Sequence, residues 1–310
     1  MPPKPRQLAI VGGGPAGLTA GIYAARGRLD VVLLEGKPLT GGQMALTETV
    51  ENYPGFPEPI SGFELAERMR RQAERFGLAF ETAQIDAVRR EGGGFVLAGP
   101  EGEKRAQAVI VATGTENRKL GVPGEQEFYG AGVTYCATCD GPLYRGRVVA
   151  VVGGGDSAVK EGVYLTKFAA KVYIIHRRDE LRAEKIIQEL ARANEKIEFV
   201  WDTVVTAMTG DQELKALRIK NVKTGAESEL AVEGAFIYVG VKPNTELVAG
   251  LVTLDARGLI RTDNDMAASV PGVFACGDCR AKTLKQVVTA AGEGAAAAFA
   301  AQDYLEHGGR

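Results

Sequence analysis

The chain has 310 residues, 45% hydrophobic and 25% charged, with 37 basic against 39 acidic side chains and a formal net charge of -2. That length suits two domains that each bury a core, and so balanced a charge marks neither a nucleic-acid binder nor a membrane-surface binder. No apolar run reaches the ~18 residues that span a bilayer, and four cysteines are too few for a disulfide framework. The expectation is a soluble, cytoplasmic protein whose cysteines serve catalysis or metal binding.

From the N-terminus, residues 7–11 read as an apolar strand, 12–17 as a glycine loop, 15–26 as a helix and 30–34 as a second strand, which makes a βαβ unit. Residues 62–76 have helical periodicity, with Phe63, Ala66, Met69, Ala73 and Phe76 expected on one buried face. Short strands follow at 95–98 and 108–111, the second running into Ala112-Thr113-Gly114. Pro- and Gly-rich joints at 120–124 and 240–245 bracket a second βαβ copy: strand 147–152, glycine loop 153–158, a helix reaching about Phe168, and strand 171–175. With the joints as domain crossings, the first domain is discontinuous and resumes in a strand at 272–275 and a small-residue helix at 286–304. The expected fold class is α/β, with two Rossmann-like, three-layer dinucleotide-binding domains, residues 118–245 being inserted into 1–117 and 246–310.

In Gly12-x-Gly14-x-x-Gly17 the glycines permit a tight turn and close backbone approach, so a pyrophosphate can sit at the positive end of the next helix. Glu35, closing the second strand, can accept both ribose hydroxyls of an adenosine and would repel a 2′-phosphate, so this loop suits FAD or NAD. In the second loop, Gly153-x-Gly155-x-x-Ala158, the place of that acid is taken by His176, Arg177 and Arg178, with Arg182 a turn further on. Guanidinium groups at the ribose position favour a 2′-phosphate, hence NADPH over NADH. His176 reads more readily as a packed side chain than as a catalytic one. With His307 the only other histidine, a His-based triad or zinc-hydrolase site is poorly supported.

Cys136-Ala137-Thr138-Cys139 puts two thiols three apart, which on one helical turn brings their Cα atoms within disulfide reach. Zinc is the competing reading, but a zinc ribbon places its second Cys-x-x-Cys about 15–20 residues away. The next pair here, Cys276 and Cys279, lies far downstream. Asp140, directly after Cys139, can move the proton that disulfide exchange requires, while Asp-Gly is equally an ordinary turn signal.

Taken in order, GGGPAG (12–17), GGQM (41–44), VENYPGF (50–56), ATG (112–114), VPGE (122–125), CATCDG (136–141), GGGDSA (153–158), HRRDELRA (176–183), PNTEL (243–247), GD (277–278) and QVVTAAGEG (286–294) closely resemble the low-molecular-weight thioredoxin reductases, within the class II pyridine nucleotide-disulfide oxidoreductases. The resemblance covers nearly the whole chain. It implies that Gly12, Gly14, Pro15, Ala16, Gly17, Glu35, Gly41, Gly42, Gln43, Asn52, Thr113, Gly114, Asp278, Gln286 and Val287 bind FAD. Gly153, Gly155, Asp156, Ser157, Ala158, His176, Arg177, Arg178 and Arg182 would bind NADPH. Cys139 would be the thiol nearest the flavin, Cys136 the one that attacks the disulfide of thioredoxin, and Asp140 the acid/base. Such enzymes are homodimers whose nicotinamide domain rotates between half-reactions.

Three departures from the family pattern involve four positions. Lys285 stands where an arginine is usual, Leu181 where an aromatic is common, and Cys276 and Cys279 flank Gly277-Asp278 where small or apolar residues are more usual. This second pair reads as buried filler, with a second redox pair as the sharper alternative. Competing functions are a reductase of another small dithiol carrier, a flavodoxin or ferredoxin reductase of similar fold, and a non-catalytic flavin redox sensor.

Overall fold

The computed structural model describes residues 5–47 and 50–308. The chain forms two compact units, one comprising residues up to Glu116 together with those from Lys242 onward, the other Asn117–Val241.

The discontinuous unit opens with β1 (Arg6–Val11), α1 (Pro15–Arg26) and β2 (Val31–Glu35), the two strands pairing in parallel. Pro15 occupies the first turn of α1, where its fixed φ suits the helix and its missing N–H leaves no bond unmade. Next come α2 (Gly62–Arg75), β3 (Ala79–Thr82), β4 (Ala87–Glu91), β5 (Gly94–Gly99) and β6 (Gly102–Val111). The Ser61 hydroxyl caps α2 by accepting the Glu64 N–H at 3.1 Å. The sheet order is β3-β2-β1-β6-β5-β4. β6 does two jobs: residues 102–106 pair antiparallel with β5, and its apolar end from Val109 to Val111 runs parallel to a strand from the C-terminal part of the chain.

β7 (Thr115–Asn117) then leads into the inserted unit, which contains β8 (Val133–Thr134), α3 (Ala137–Asp140), β9 (Val148–Val152), α4 (Asp156–Leu165), β10 (Lys171–Ile175), α5 (Lys185–Arg192) and β11 (Ile197–Val200). It continues with β12 (Thr203–Gly210), β13 (Leu214–Asn221), β14 (Glu227–Ala231) and β15 (Gly234–Ile237). A parallel sheet ordered β11-β10-β9-β15-β8 lies in this unit with an antiparallel sheet ordered β12-β13-β14. The chain leaves through β16 (Val241–Pro243), which pairs with β7, and ends with β17 (Val273–Ala275), the partner of β6, and α6 (Val287–Glu306).

The period-2 alternation of side chains divides each core. In the discontinuous unit Leu8, Ile10, Val31, Leu33 and Ile110 pack against the helices, while Ala9, Val11, Val32, Leu34 and Val111 face a second layer with Val88, Leu97, Val248 and Ile260. In the inserted unit Val149, Val151, Val172, Ile174 and Phe236 meet Ala158 and Leu165 of α4, whereas Ala150, Val152, Ile175 and Ile237 meet Val205, Met208 and Leu217 of the antiparallel sheet. Both units are therefore three-layered. The buried stripe of α2 differs from expectation: Leu65, Ala66, Met69 and Ala73 are buried, whereas Phe63 is exposed. At about 100° per residue, Phe63 sits roughly a quarter turn round the helix from the centre of that stripe.

Candidate active site

At the head of α1 the backbone is packed so closely that a Cβ on Gly17 would lie 1.8 Å from the Gly12 carbonyl oxygen. Gly14, the N-cap residue of α1, has the opposite surroundings: nothing lies within 4 Å of where its Cβ would be, and no side chain caps the helix. Open space therefore lies at a helix N-terminus, which suits a phosphate. The Glu35 carboxylate is held beside it, Oε2 accepting the Gly13 N–H at 2.7 Å and Oε1 the Lys37 N–H at 3.0 Å. Thr40, not singled out from the sequence, packs against Gly13, and its buried hydroxyl has no hydrogen-bond partner among the described residues. An orphaned polar group in a cradle that a Cβ would fill fits a bound dinucleotide.

The other residues expected at this cradle come from scattered segments. Thr113 and Gly114 are pinned by Asn244: the Thr113 hydroxyl donates to the Asn244 carbonyl at 2.5 Å, Asn244 Nδ2 donates to the Thr113 carbonyl at 3.1 Å, and the Asn244 N–H to that of Gly114 at 3.1 Å. The Gln43 amide donates to the Thr115 carbonyl. Asn52 Nδ2 donates to Gln286 Oε1 at 3.1 Å, and Gln286 itself caps α6, which begins at Val287. Gly277 approaches Ala16 so closely that its Cβ would lie 2.9 Å from the Ala16 Cβ, which brings Asp278 to the head of α1.

In the inserted unit, the loop at 153–158 leads into α4 with Gly155 as its N-cap residue. Arg177, Arg178 and Arg182 are all exposed, and among the described residues none of the three has a carboxylate partner. The Arg182 N–H donates to the Gly154 carbonyl at 2.8 Å, so the arginine segment is stitched to the glycine loop. Asp156 supports the same arrangement by accepting the Glu184 N–H at 2.8 Å. His176 is buried with its ring against Gly154, where a Cβ would lie 2.4 Å away. Burial first, then Arg182, Arg178 and Arg177, hold its pKa below the usual value, so the ring is neutral and packed.

Cys136 and Cys139 are joined as a disulfide with a Cα separation of 5.3 Å. Cys136 is the N-cap residue of α3, and the Cys139 N–H donates to its Sγ at 3.2 Å. A sulfur so placed is favoured as a thiolate once the bond is opened. The buried Thr134 hydroxyl donates to Asp140 Oδ2, fixing that carboxylate at the end of the turn. Tyr238 joins this turn to the glycine loop: its carbonyl oxygen lies 2.5 Å from where a Gly153 Cβ would be, and its hydroxyl accepts the Ala137 N–H at 2.6 Å. Burial raises the Tyr238 pKa, with Glu161 and Asp140 adding to the effect. Burial also raises that of Glu161, whose Oε2 is buried without a hydrogen-bond partner among the described residues. Tyr238 and Glu161 carried no signal in the sequence, one lying at the end of an apolar strand and the other among helix residues.

Cys276 and Cys279 are free, fully buried thiols whose pKa values are raised by burial. The Cys279 thiol donates to the carbonyls of Cys276 at 3.3 Å and Val111 at 3.4 Å. Protonated and enclosed, they suit the filler reading.

Residues 6–294 match the family model described as pyridine nucleotide-disulphide oxidoreductase. The thioredoxin reductase of Listeria innocua is 46% identical over 302 residues, spanning 96% of this chain and 93% of its own. Among solved structures, the thioredoxin reductase of Streptococcus pyogenes superposes with a TM-score of 0.92 at 45% identity, covering 97% of this chain and 98% of that one. That of Lactococcus lactis, described as in the FR conformation, superposes with a TM-score of 0.68 at 43% identity, covering 97% and 99%.

Proposed function

Because this chain belongs to the pyridine nucleotide-disulphide oxidoreductase family, as a thioredoxin reductase, we propose that its electrons run from NADPH through FAD to the Cys136–Cys139 disulfide and on to the disulfide of thioredoxin. The observation that carries this reading is the disulfide itself, seated on one helical turn whose closing residue, Asp140, is anchored by Thr134.

The cradle at the head of α1 would hold FAD, with Glu35 on the adenosine ribose, Thr40 and the Gly14 backbone at the phosphates, and Asp278 and the α6 N-terminus further along the molecule. The arginine-flanked loop would hold NADPH, Arg177, Arg178 and Arg182 meeting the 2′-phosphate. When bound, the flavin supplies the conversion of a nicotinamide hydride into an electron pair that a disulfide can accept.

The residues of the chain do the rest. Opening the Cys136–Cys139 bond takes up two electrons and leaves Cys136 Sγ as a thiolate and Cys139 Sγ as a thiol, whose proton Asp140 can supply from the end of the turn. Cys136 Sγ, favoured as a thiolate by the Cys139 N–H, attacks one sulfur of the thioredoxin disulfide and forms a mixed disulfide while the other thioredoxin sulfur leaves as a thiolate. Cys139 Sγ then attacks Cys136 Sγ, restoring the intramolecular bond and releasing dithiol thioredoxin. As Cys139 Sγ attacks, its proton returns to Asp140, and the two departing thioredoxin thiolates take up two protons from solution, one of them the equivalent of the proton brought in with the hydride. Thus NADPH and one proton yield NADP+ and reduced thioredoxin.

The protein would act in the cytoplasm as a homodimer, with the inserted unit rotating between half-reactions. No helix of the described residues is long and apolar enough to cross a membrane. The test is steady-state reduction of thioredoxin with NADPH and with NADH. Turnover with NADPH, at least about tenfold better in kcat/KM than with NADH, is expected; failure to reduce any thioredoxin tried while reducing another dithiol carrier would reassign the substrate.

A further inference from the structure

Between β17 and α6 the chain runs through Gly277, Asp278, Arg280, Lys282 and Lys285, a stretch otherwise without long regular structure. One carboxylate gathers it. Glu293, in the second turn of α6, accepts the Gly277 N–H on Oε2 at 2.8 Å, pairs through Oε1 with Arg280 Nη1 at 2.9 Å, and through Oε2 with Lys282 Nζ at 3.2 Å. Arg280 is braced from behind by the Thr262 hydroxyl at 2.8 Å. Lys282 also pairs with Asp278 Oδ1 at 3.1 Å, and Lys285 Nζ donates to the Asp278 carbonyl at 3.2 Å. The side chains of Lys282, Glu293 and Arg280 are only 7%, 13% and 14% exposed, so solvent does little to screen them. Their place is fixed by close packing: a Cβ on Gly294, the next residue, would lie 2.1 Å from the Ala16 carbonyl oxygen, so this part of α6 is locked against the head of α1.

The three cations and two carboxylates leave one positive charge in excess beside the cradle. A network of this kind is costly to maintain if it only ties a loop to a helix, since breaking one partner strands a poorly screened charge. It has a use if the group in the cradle gains negative charge during turnover.

We propose that Glu293 is a positioning residue: its carboxylate fixes the segment from Gly277 to Lys282, and with it Asp278, at the head of α1, and sets the local charge against which the bound flavin is reduced. This rests on the flavin reading given above. Reduction adds negative charge to the flavin, so removing the Glu293 carboxylate favours the reduced form, and removing the Lys282 ammonium favours the oxidised form.

The test is the two-electron potential of the bound flavin, measured by dye equilibration in holoprotein carrying Cys136→Ser and Cys139→Ser, so that only the flavin takes up electrons. In that background Glu293→Gln is expected to move the reduced-to-oxidised ratio about tenfold toward the reduced form at fixed potential, which is about 30 mV upward. Lys282→Gln should move it in the opposite direction, and Glu293→Asp, which keeps the charge, should return the potential most of the way to the parent value. A merely structural role would lower thermal stability without giving shifts of opposite sign. Shifts that are absent or of the same sign, or Glu293→Asp behaving like Glu293→Gln, would overturn the proposal. If Glu293→Gln does not fold, Lys282→Gln decides alone, with an unmoved or raised potential counting against it. A parent protein that takes up no flavin would remove the functional reading and this proposal together.

Discussion

Asn52 and Gln286 are joined by a hydrogen bond of 3.1 Å across a sequence separation of 234 residues. The bond links the N-terminal part of the discontinuous unit to the cap of α6, in the part reached only after the inserted unit has been completed. Together with the Thr113–Asn244 bonds, it means that the cradle is assembled from both halves of its unit. A flavin bound there would bridge them.

Gly14 and Gly17 should therefore respond differently to alanine. Gly17→Ala drives a Cβ into the Gly12 carbonyl and should cost the fold several kcal/mol, on the order of an overpacked core. Gly14→Ala meets nothing within 4 Å and has a φ of -72°, so the polypeptide should tolerate it, yet the methyl intrudes where the phosphates would lie. Flavin absorbance per protein and the thermal midpoint of the flavin-free form separate the two. Full flavin content in Gly14→Ala would place the phosphates elsewhere.

For the nicotinamide cofactor, Arg177→Ala, Arg178→Ala and Arg182→Ala should each lower kcat/KM for NADPH by about tenfold, ~1.4 kcal/mol of transition-state binding, with little change for NADH. The three guanidinium groups are exposed and not ion-paired among the described residues, so their removal should leave stability nearly unchanged. Equal losses with both cofactors would point to a role other than 2′-phosphate recognition.

Tyr238→Phe removes the acceptor for the Ala137 N–H at the head of the dithiol turn. Leaving that amide unpaired should cost about 1–3 kcal/mol in urea unfolding and slow thioredoxin turnover. A variant with unchanged stability and turnover would show that the turn needs no such anchor.

Protonation of His176 provides a pH signature. Burial and the neighbouring arginines lower its folded-state pKa from 6.5, so below that pH the unfolded chain binds a proton that the folded chain resists. The contribution to stability is complete above about pH 6.5 and is lost as pH falls toward the folded-state value. The thermal midpoint of the parent should therefore drop more between pH 7.5 and 5.5 than that of His176→Gln. Parallel pH profiles would contradict this.

Much of this site could be read in the sequence because its signals are local. Apolar strands, glycine spacings and a Cys-x-x-Cys turn occupy a few consecutive residues, and they mark both βαβ units and the dithiol. The parts that escaped depend on contacts between remote segments. Thr40 matters because its hydroxyl is orphaned beside Gly13, Asn244 because it holds Thr113, and Tyr238 because it spans Gly153 and Ala137. The sheet of β12, β13 and β14 escaped for another reason: β14 is mostly exposed, and register irregularities between β12 and β13 interrupt the alternation that would reveal them.

The most direct test of the electron path is trapping of the mixed disulfide. Cys139→Ser holoprotein, reduced and mixed with a thioredoxin bearing a single attacking cysteine activated as a mixed disulfide with a small thiol, should form a stable covalent adduct that peptide mass mapping places on Cys136. Its multiple-turnover NADPH-dependent reduction of native thioredoxin should fall by at least about a hundredfold, since no thiol is left to resolve the adduct. Full turnover in Cys139→Ser, or an adduct mapped to Cys276 or Cys279, would contradict the account.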